Sequence, residues 1–359
     1  VAMAAGATAD IFDTVVERLV KSGEIKIWKA RELVAEVRDQ SHSGRGEGEI
    51  PVATRLAAGY GKAIILGEHA VVYGRHAVAA PVPLAVQARV ADFRDGVHLS
   101  IPRWGVEHML EPDPERRQSF EKPAALVLDK LGLQGRSMRI DVFPNVPRAM
   151  GLGGSAAIAV AIIRAMDEHF KLNLSDKAIN ELAYESEKIA HGTPSGIDNT
   201  VATYGEALLF RRGDPPAIDT ISLAEPMPIV IGLTGVESLT AKTVSNVRSA
   251  WEKDTERYER IFDEIDQLAL EGVTAMQNAD WTRLGELMNV CQGLLNALQV
   301  SCWELEELVQ IARENGAVGA KLTGGGGGGS MIALCPDDSM RVMRAMEEAG
   351  YQAMEVRLG

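Results

Sequence analysis

Hydrophobic positions along this chain follow two rhythms, one recurring every three to four residues and one made of short apolar runs. Ile11, Phe12, Val15, Val16, Leu19 and Val20 fall at helical spacing, and after Ser22-Gly23 the spacing returns with Ile27, Ala30, Leu33, Val34 and Val37. This predicts two short helices within residues 1–40. Residues 41–49, Ser-His-Ser-Gly-Arg-Gly-Glu-Gly-Glu, are a linker by composition. Beyond it, apolar runs predict strands at 77–90, 97–101, 138–143 and 207–211, interleaved with helices that include 123–131 and 175–190. A further strand is expected at 228–232, then long helices at 244–271 and about 284–299, a helix, a glycine loop, a strand, a helix at 339–349 and a last strand. Elements of both types alternate without an internal repeat, which predicts an α+β or α/β chain. The expected division is a helical extension and linker over 1–50, a first body over 51–225 and a second over 226–359.

Three segments carry candidate chemistry. Six glycines, 324–329, follow Lys321-Leu322-Thr323 and precede Ser330 and the apolar run Met331-Ile332-Ala333-Leu334. Burial of those flanks in one body argues against a flexible linker. Glycine amides can approach an anion closely, although the run by itself leaves a structural turn equally open. The second segment is Pro147-Arg148-Ala149-Met150-Gly151-Leu152-Gly153-Gly154-Ser155-Ala156-Ala157, which opens into the apolar helical stretch 158–166. A glycine turn at a helix start points unpaired amides and the positive dipole end at its contents, the natural setting for a nucleotide phosphate. Neither the Gly-Lys-Ser/Thr ending of a Walker loop nor the G-x-G-x-x-G dinucleotide spacing is present. The third segment, 61–74, reads Gly-Lys-Ala-Ile-Ile-Leu-Gly-Glu-His-Ala-Val-Val-Tyr-Gly: an apolar strand, a polar turn and a second apolar stretch.

In this order the three segments resemble the motifs of the kinase superfamily named for galactokinase, homoserine kinase, mevalonate kinase and phosphomevalonate kinase. The mevalonate kinase family is the nearest match, through Gly67-Glu68-His69-Ala70-Val71-Val72-Tyr73-Gly74, His191-Gly192-Thr193-Pro194-Ser195-Gly196-Ile197-Asp198-Asn199 and Lys321-Leu322-Thr323-Gly324. The resemblance spans roughly residues 51–359. It implies an α+β, two-domain small-molecule kinase fold: a ribosomal-protein-like N-terminal domain, a ferredoxin-like C-terminal domain, and ATP and acceptor in the cleft between. The implied reaction is ATP- and Mg²⁺-dependent phosphorylation of the 5-hydroxyl of mevalonate, with kinases of phosphomevalonate, pantoate, homoserine or galactose as the alternative. A homodimer is implied as well.

The same resemblance assigns residues. Asp198 and Lys62 match the catalytic pair, Asp198 taking or holding the hydroxyl proton and Lys62 favouring alkoxide charge. Pro147, Gly151, Leu152, Gly153, Gly154, Ser155 and Ala156, with Gly324, Gly325, Gly326 and Gly327, match the ATP loops. Ser155 and Glu187 match the Mg²⁺ contacts; spacing alone does not choose among Glu181, Glu185 and Glu187. Glu68, His69 and Thr240, with Asp198, match acceptor-binding positions. Read without the family, Gly-Ile-Asp-Asn is also a turn or cap, and Gly-Glu-His is also a turn with a satisfied histidine. The chain departs from the pattern at Gly59-Tyr60-Gly61-Lys62, where Ala-Pro-Gly-Lys is expected, at Gly154, where serine is common, and at Gly325 and Ser330, where alanine and cysteine are frequent.

Composition narrows the partners. Fifty acidic against 37 basic residues give a net charge of −13, which excludes nucleic acid and anionic membrane as natural partners. Positive charge for ATP and a carboxylate must then be local, with Lys62 and Lys321 the candidates. No apolar run reaches the ~18 residues of a membrane span, and no signal-peptide pattern opens the sequence, so the expected compartment is the cytoplasm. Cys291, Cys302 and Cys335 lack Cys-x-x-Cys pairing and are expected to be reduced thiols.

Overall fold

Two antiparallel-rich sheets organise the chain in the computed structural model, which describes residues 57–111, 121–191, 194–238 and 240–359. The helices and linker expected within 1–50 lie outside the described residues. Residues 55–359 pack as one unit. The first sheet is built on β2 (His76–Asp92), whose run His-Ala-Val-Ala-Ala-Pro-Val buries small and β-branched side chains on both faces. It pairs antiparallel with β1 (Ala57–Leu66), β5 (Met138–Pro144) and β6 (Leu208–Arg211). The edges are β3 (Val97–Ile101), parallel to β5, then β4 (Val106–Met109), and on the far side β7 (Ala217–Thr220).

Helices cover one side of this sheet. α1 (Glu121–Lys130) packs on α3 (Asp176–His191), and α2 (Gly154–Phe170) lies across β1 and β2 between α3 and α4 (Ile197–Tyr204). α2 is apolar almost all round: Ala156, Ala157, Val160, Ala161, Ile163 and Met166 are buried, so the helix is a core element.

The second sheet has the order β11 (Gln352–Leu358), β8 (Met227–Leu233), β10 (Ser330–Leu334), β9 (Gly319–Thr323), all antiparallel. Counted within this sheet the order is 4-1-3-2, the split βαβ arrangement of ferredoxin-like folds. Between β8 and β9 run α5 (Thr240–Lys253), α6 (Thr255–Gln277), α7 (Trp281–Ala297) and α8 (Trp303–Glu314); α9 (Ser339–Glu348) links β10 to β11. The single helix expected at 244–271 is two helices. Asp254 stops the first and its carboxylate accepts from the Arg257 amide to start the second, a cap that apolar periodicity does not register. The stretch after Gly67 is a short 3₁₀ turn, Ala70–Tyr73. Strands β4 and β7 were too short and polar to be predicted from pattern.

A polar seam between β1 and β9 helps to join the two sheets. The Thr323 hydroxyl accepts from the Ile64 amide (2.8 Å) and donates to the Ile64 carbonyl (3.0 Å). Beside it Lys321 donates to Glu68 in a fully buried ion pair. Among the described residues no helix is long and apolar enough to cross a membrane, and Cys291, Cys302 and Cys335 are free thiols.

Candidate active site

The start of α2 sets the centre of the site. Its N-cap, Gly153, adopts φ 72°, and no side chain caps the helix. A methyl group there would stand 2.9 Å from Lys62 Cγ, so glycine is required both by the left-handed backbone and by the lysine packed against it. The first-turn amides therefore open toward a cavity, ready for an anion. Lys62, on β1, is held at both ends: its amide donates to the Leu152 carbonyl (2.9 Å) and its Nζ donates to the Gly151 carbonyl (3.0 Å). The same Nζ lies 3.4 Å from Asp198 Oδ1. Lys62 is buried, whereas the Asp198 side chain is 34% exposed and borders the cavity. Asp198 sits in the first turn of α4, where the helix dipole favours its charge. What sequence reading left open as a turn is thus a helix start that aims the carboxylate at the lysine.

On the other side of the α2 start, Ser155 Oγ donates to Glu187 Oε1 (2.6 Å), and both residues line the cavity. Glu185 instead pairs with Lys188 at the surface. The glycine loop after β9 closes over this region. Gly326 has φ 74°, and a Cβ there would meet the Val300 carbonyl oxygen at 1.9 Å, so no other residue fits that backbone. Ser238 Oγ donates to the Gly326 carbonyl and lies 3.2 Å from Thr240 Oγ1, which ties the loop to the start of α5.

The cavity between these parts measures about 750 Å³. Of the predicted site residues, Lys62, His69, Pro147, Gly151, Leu152, Gly153, Gly154, Ser155, Glu187, Asp198, Thr240, Gly324 and Gly325 line it. Ala156, Gly326 and Gly327 do not; Ala156 is buried in the core behind the loop, and the two glycines hold the loop from beneath. Glu68, expected at the acceptor, does not line the cavity: it is 1% exposed and held by Lys321 in a buried pair. Lys321 is correspondingly removed from the candidates for positive charge at a phosphate or carboxylate.

Sequence reasoning missed the other end of the cavity. Leu99, Ile101, Trp104, Val127, Ile158 and Ile162 form an apolar slot there, with the Arg148 guanidinium 5.5 Å from the Trp104 ring centre. Such a slot suits a flat aromatic base. The strand at 97–101, the helix at 123–131 and the apolar stretch at 158–166 were legible as elements, but nothing in them marked a binding wall.

His69 faces the glycine loop, its Nε2 3.0 Å from the Gly325 carbonyl, so the ring donates as neutral imidazole. Burial lowers its pKa to about 4. At pH above 6.5 neither native nor unfolded His69 carries a proton; as the pH falls from 6.5 toward 4 only the unfolded chain takes one up, and stability is lost, by up to about 3 kcal/mol. Urea unfolding should therefore show His69→Gln, which keeps a donor to Gly325, losing less stability than the parent across this window. Neighbouring Glu68, whose carboxyl burial pushes up while Lys321 draws it back, is common to both proteins. Parallel stability–pH curves would refute a neutral buried His69.

A glycine-capped helix start, a second glycine loop and a lysine–aspartate pair facing one cavity define a small-molecule kinase of the GHMP type. Residues 119–206 match the GHMP kinases N terminal domain and residues 273–352 the GHMP kinases C terminal domain. The chain is 36% identical over 323 residues to the mevalonate kinase of Pyrococcus abyssi, covering 84% of this chain and 95% of that protein. To the mevalonate kinase of Aeropyrum pernix it is 35% identical over 304 residues, 83% and 94% of the two chains. The crystal structure of L. major mevalonate kinase in complex with R-mevalonate shares the fold with a TM-score of 0.74 at 32% identity, covering 85% of this chain and 96% of that one. This enzyme belongs to the mevalonate kinase family.

Proposed function

We propose that the enzyme transfers the γ-phosphoryl group of ATP to the 5-hydroxyl of mevalonate, giving 5-phosphomevalonate and ADP. The observation that carries the reading is the Lys62–Asp198 pair, 3.4 Å apart, in one cavity with the open amides of α2. The adenine ring takes the apolar slot, the phosphates lie along 151–155 and against Gly324 and Gly325, and the acceptor hydroxyl sits at Asp198. As its oxygen bonds to phosphorus, its proton passes to the Asp198 carboxylate, the β–γ bridging bond breaks, and ADP leaves. Lys62 lowers the energy of the developing alkoxide and holds the Gly151 turn in place. The similarity to mevalonate kinases over more than four-fifths of the chain supports the choice of acceptor.

Magnesium fits the donor set. Ser155 and Glu187 would offer one hydroxyl and one carboxylate oxygen beside the phosphate position, the small protein share that Mg²⁺ takes when phosphates and waters complete its shell. When bound it would neutralise phosphate charge. Ser155→Ala and Glu187→Gln are expected to raise the Mg²⁺ concentration needed for half-maximal rate; titrations that coincide with the parent would place the metal elsewhere. Three free thiols support a reducing compartment, and we assign the enzyme to the cytoplasm. The family resemblance supports a homodimer and a boundary between the two kinase domains near residue 225.

A coupled ADP-release assay across mevalonate, phosphomevalonate, pantoate, homoserine and galactose tests the assignment. Mevalonate should give the highest kcat/KM, and preference for any other acceptor would overturn it.

A further inference from the structure

Five of the six glycines after β9 sit at positive φ, a backbone whose freedom must be lost before its amides can hold a phosphate. Whatever restrains the loop from beneath therefore bears on the site. Gly327 donates its amide to the Val300 carbonyl (2.8 Å), the same oxygen that Gly326 packs against. Val300 belongs to the turn between α7 and α8, where Gln299 takes φ 59° and Val300 itself is buried. An acidic side chain anchors that turn. Glu306, on α8, accepts from Ser301 Oγ, from Gln292 Nε2 (2.7 Å) and from Asn296 Nδ2 (3.1 Å), so both carboxylate oxygens are bound by donors from the turn and from α7. Glu306 does not line the cavity.

Gln292 carries the restraint by a second route. β9 is the edge of its sheet, and its amides at Ala320 and Leu322 find their acceptors on α7, in Asn289 Oδ1 (3.1 Å) and Gln292 Oε1 (2.9 Å). The Leu322 amide can only donate and an ionised carboxylate can only accept. The buried Gln292 amide therefore has one orientation, oxygen to Leu322 and nitrogen to Glu306. Leu322 stands just before Thr323 and Gly324, so Glu306 reaches the loop at two points: at its start through Gln292 and β9, and at Gly327 through Ser301 and the Val300 carbonyl.

We propose that Glu306 is a positioning residue for the phosphoryl donor: without touching the nucleotide, its carboxylate presets the glycine loop and so strengthens nucleotide binding. This rests on the reading of Gly324 and Gly325 as phosphate contacts.

Variants of the full chain are compared by calorimetric binding of ADP, steady-state rates, urea unfolding, and hydrogen exchange of the 324–329 amides without nucleotide. Glu306→Ala should raise the Kd for ADP and the KM for ATP about 5- to 30-fold. It should leave the KM for mevalonate and kcat at saturating ATP within about twofold, and speed exchange in the loop. Glu306→Gln keeps one accepting oxygen and should be intermediate. Asn289→Ala removes the edge-strand bond at Ala320, earlier on β9, and should cost stability with nucleotide binding unchanged. A folded Glu306→Ala that behaves like Asn289→Ala, less stable but with the parent's ADP affinity and loop exchange, would overturn the proposal. Ser301→Ala, which removes a single donor, should show the same pattern at about two- to fivefold, and it decides the matter if Glu306→Ala does not fold. A parent that binds no ADP would overturn the donor assignment, and unchanged loop exchange in Glu306→Ala is then the result that overturns the positioning role.

Discussion

Asp198→Asn should slow the chemical step by roughly 10²- to 10⁴-fold, the range for a general acid–base group, while ATP binding barely changes. Asparagine keeps the shape of the side chain at the start of α4 and its reach to the cavity, so only the charge and the proton-accepting oxygen are lost. Lys62→Met should also slow turnover, because it removes the cation 3.4 Å from Asp198 and the bond to the Gly151 carbonyl. Since Lys62 touches both the carboxylate and the phosphate turn, the two act as a unit, and the double variant should cost less than the product of the single losses. Single-turnover measurements with saturating ATP give the relevant rate. Near-normal kcat in folded Asp198→Asn, or a loss confined to mevalonate KM, would reduce Asp198 to an orienting group.

Lys321→Met should destabilise the fold by roughly 3–5 kcal/mol, because it strands the Glu68 carboxylate in the core without its cation. One Glu68 oxygen, Oε2, already lacks a hydrogen-bond partner among the described residues. Glu68→Leu combined with Lys321→Met removes both charges and should recover much of the loss, as apolar replacements of buried pairs often do. Neither residue lines the cavity, so the folded single variant should keep its kcat. Urea unfolding checks the first claim and turnover at low temperature the second. A Lys321→Met protein as stable as the parent, or folded with abolished chemistry, would return Lys321 to the phosphate site.

Much of this was legible in the sequence because the chemistry is concentrated in contiguous segments. The Gly151–Ser155 turn, the Lys62 strand and the loop after Thr323 each announce themselves by glycines or by a charge set among apolar residues. Position relative to the cavity was less legible. Glu68 and His69 are neighbours in sequence, yet the backbone at His69, φ 61°, turns one side chain to the cavity and leaves the other against Lys321. The partner that distinguishes them lies more than 250 residues away, beyond any local pattern. The apolar slot was hidden for a different reason: Leu99, Ile101 and Val127 have the same composition as core, and only the absence of a packing neighbour on one side makes them a wall. The break at Asp254 shows the limit of periodicity, which continues across a cap that one carboxylate creates.

Thr323 gives the enzyme a fixed ruler. Its single hydroxyl spans the amide and carbonyl of Ile64, two residues beyond Lys62, while the next residue along its own strand, Gly324, begins the loop that faces Gly151. This side chain, beside the buried Lys321–Glu68 pair, helps to fix the spacing between Lys62 and the glycine loop. An acceptor one bond longer or shorter is therefore expected to misplace its oxygen at Asp198 and to turn over more slowly.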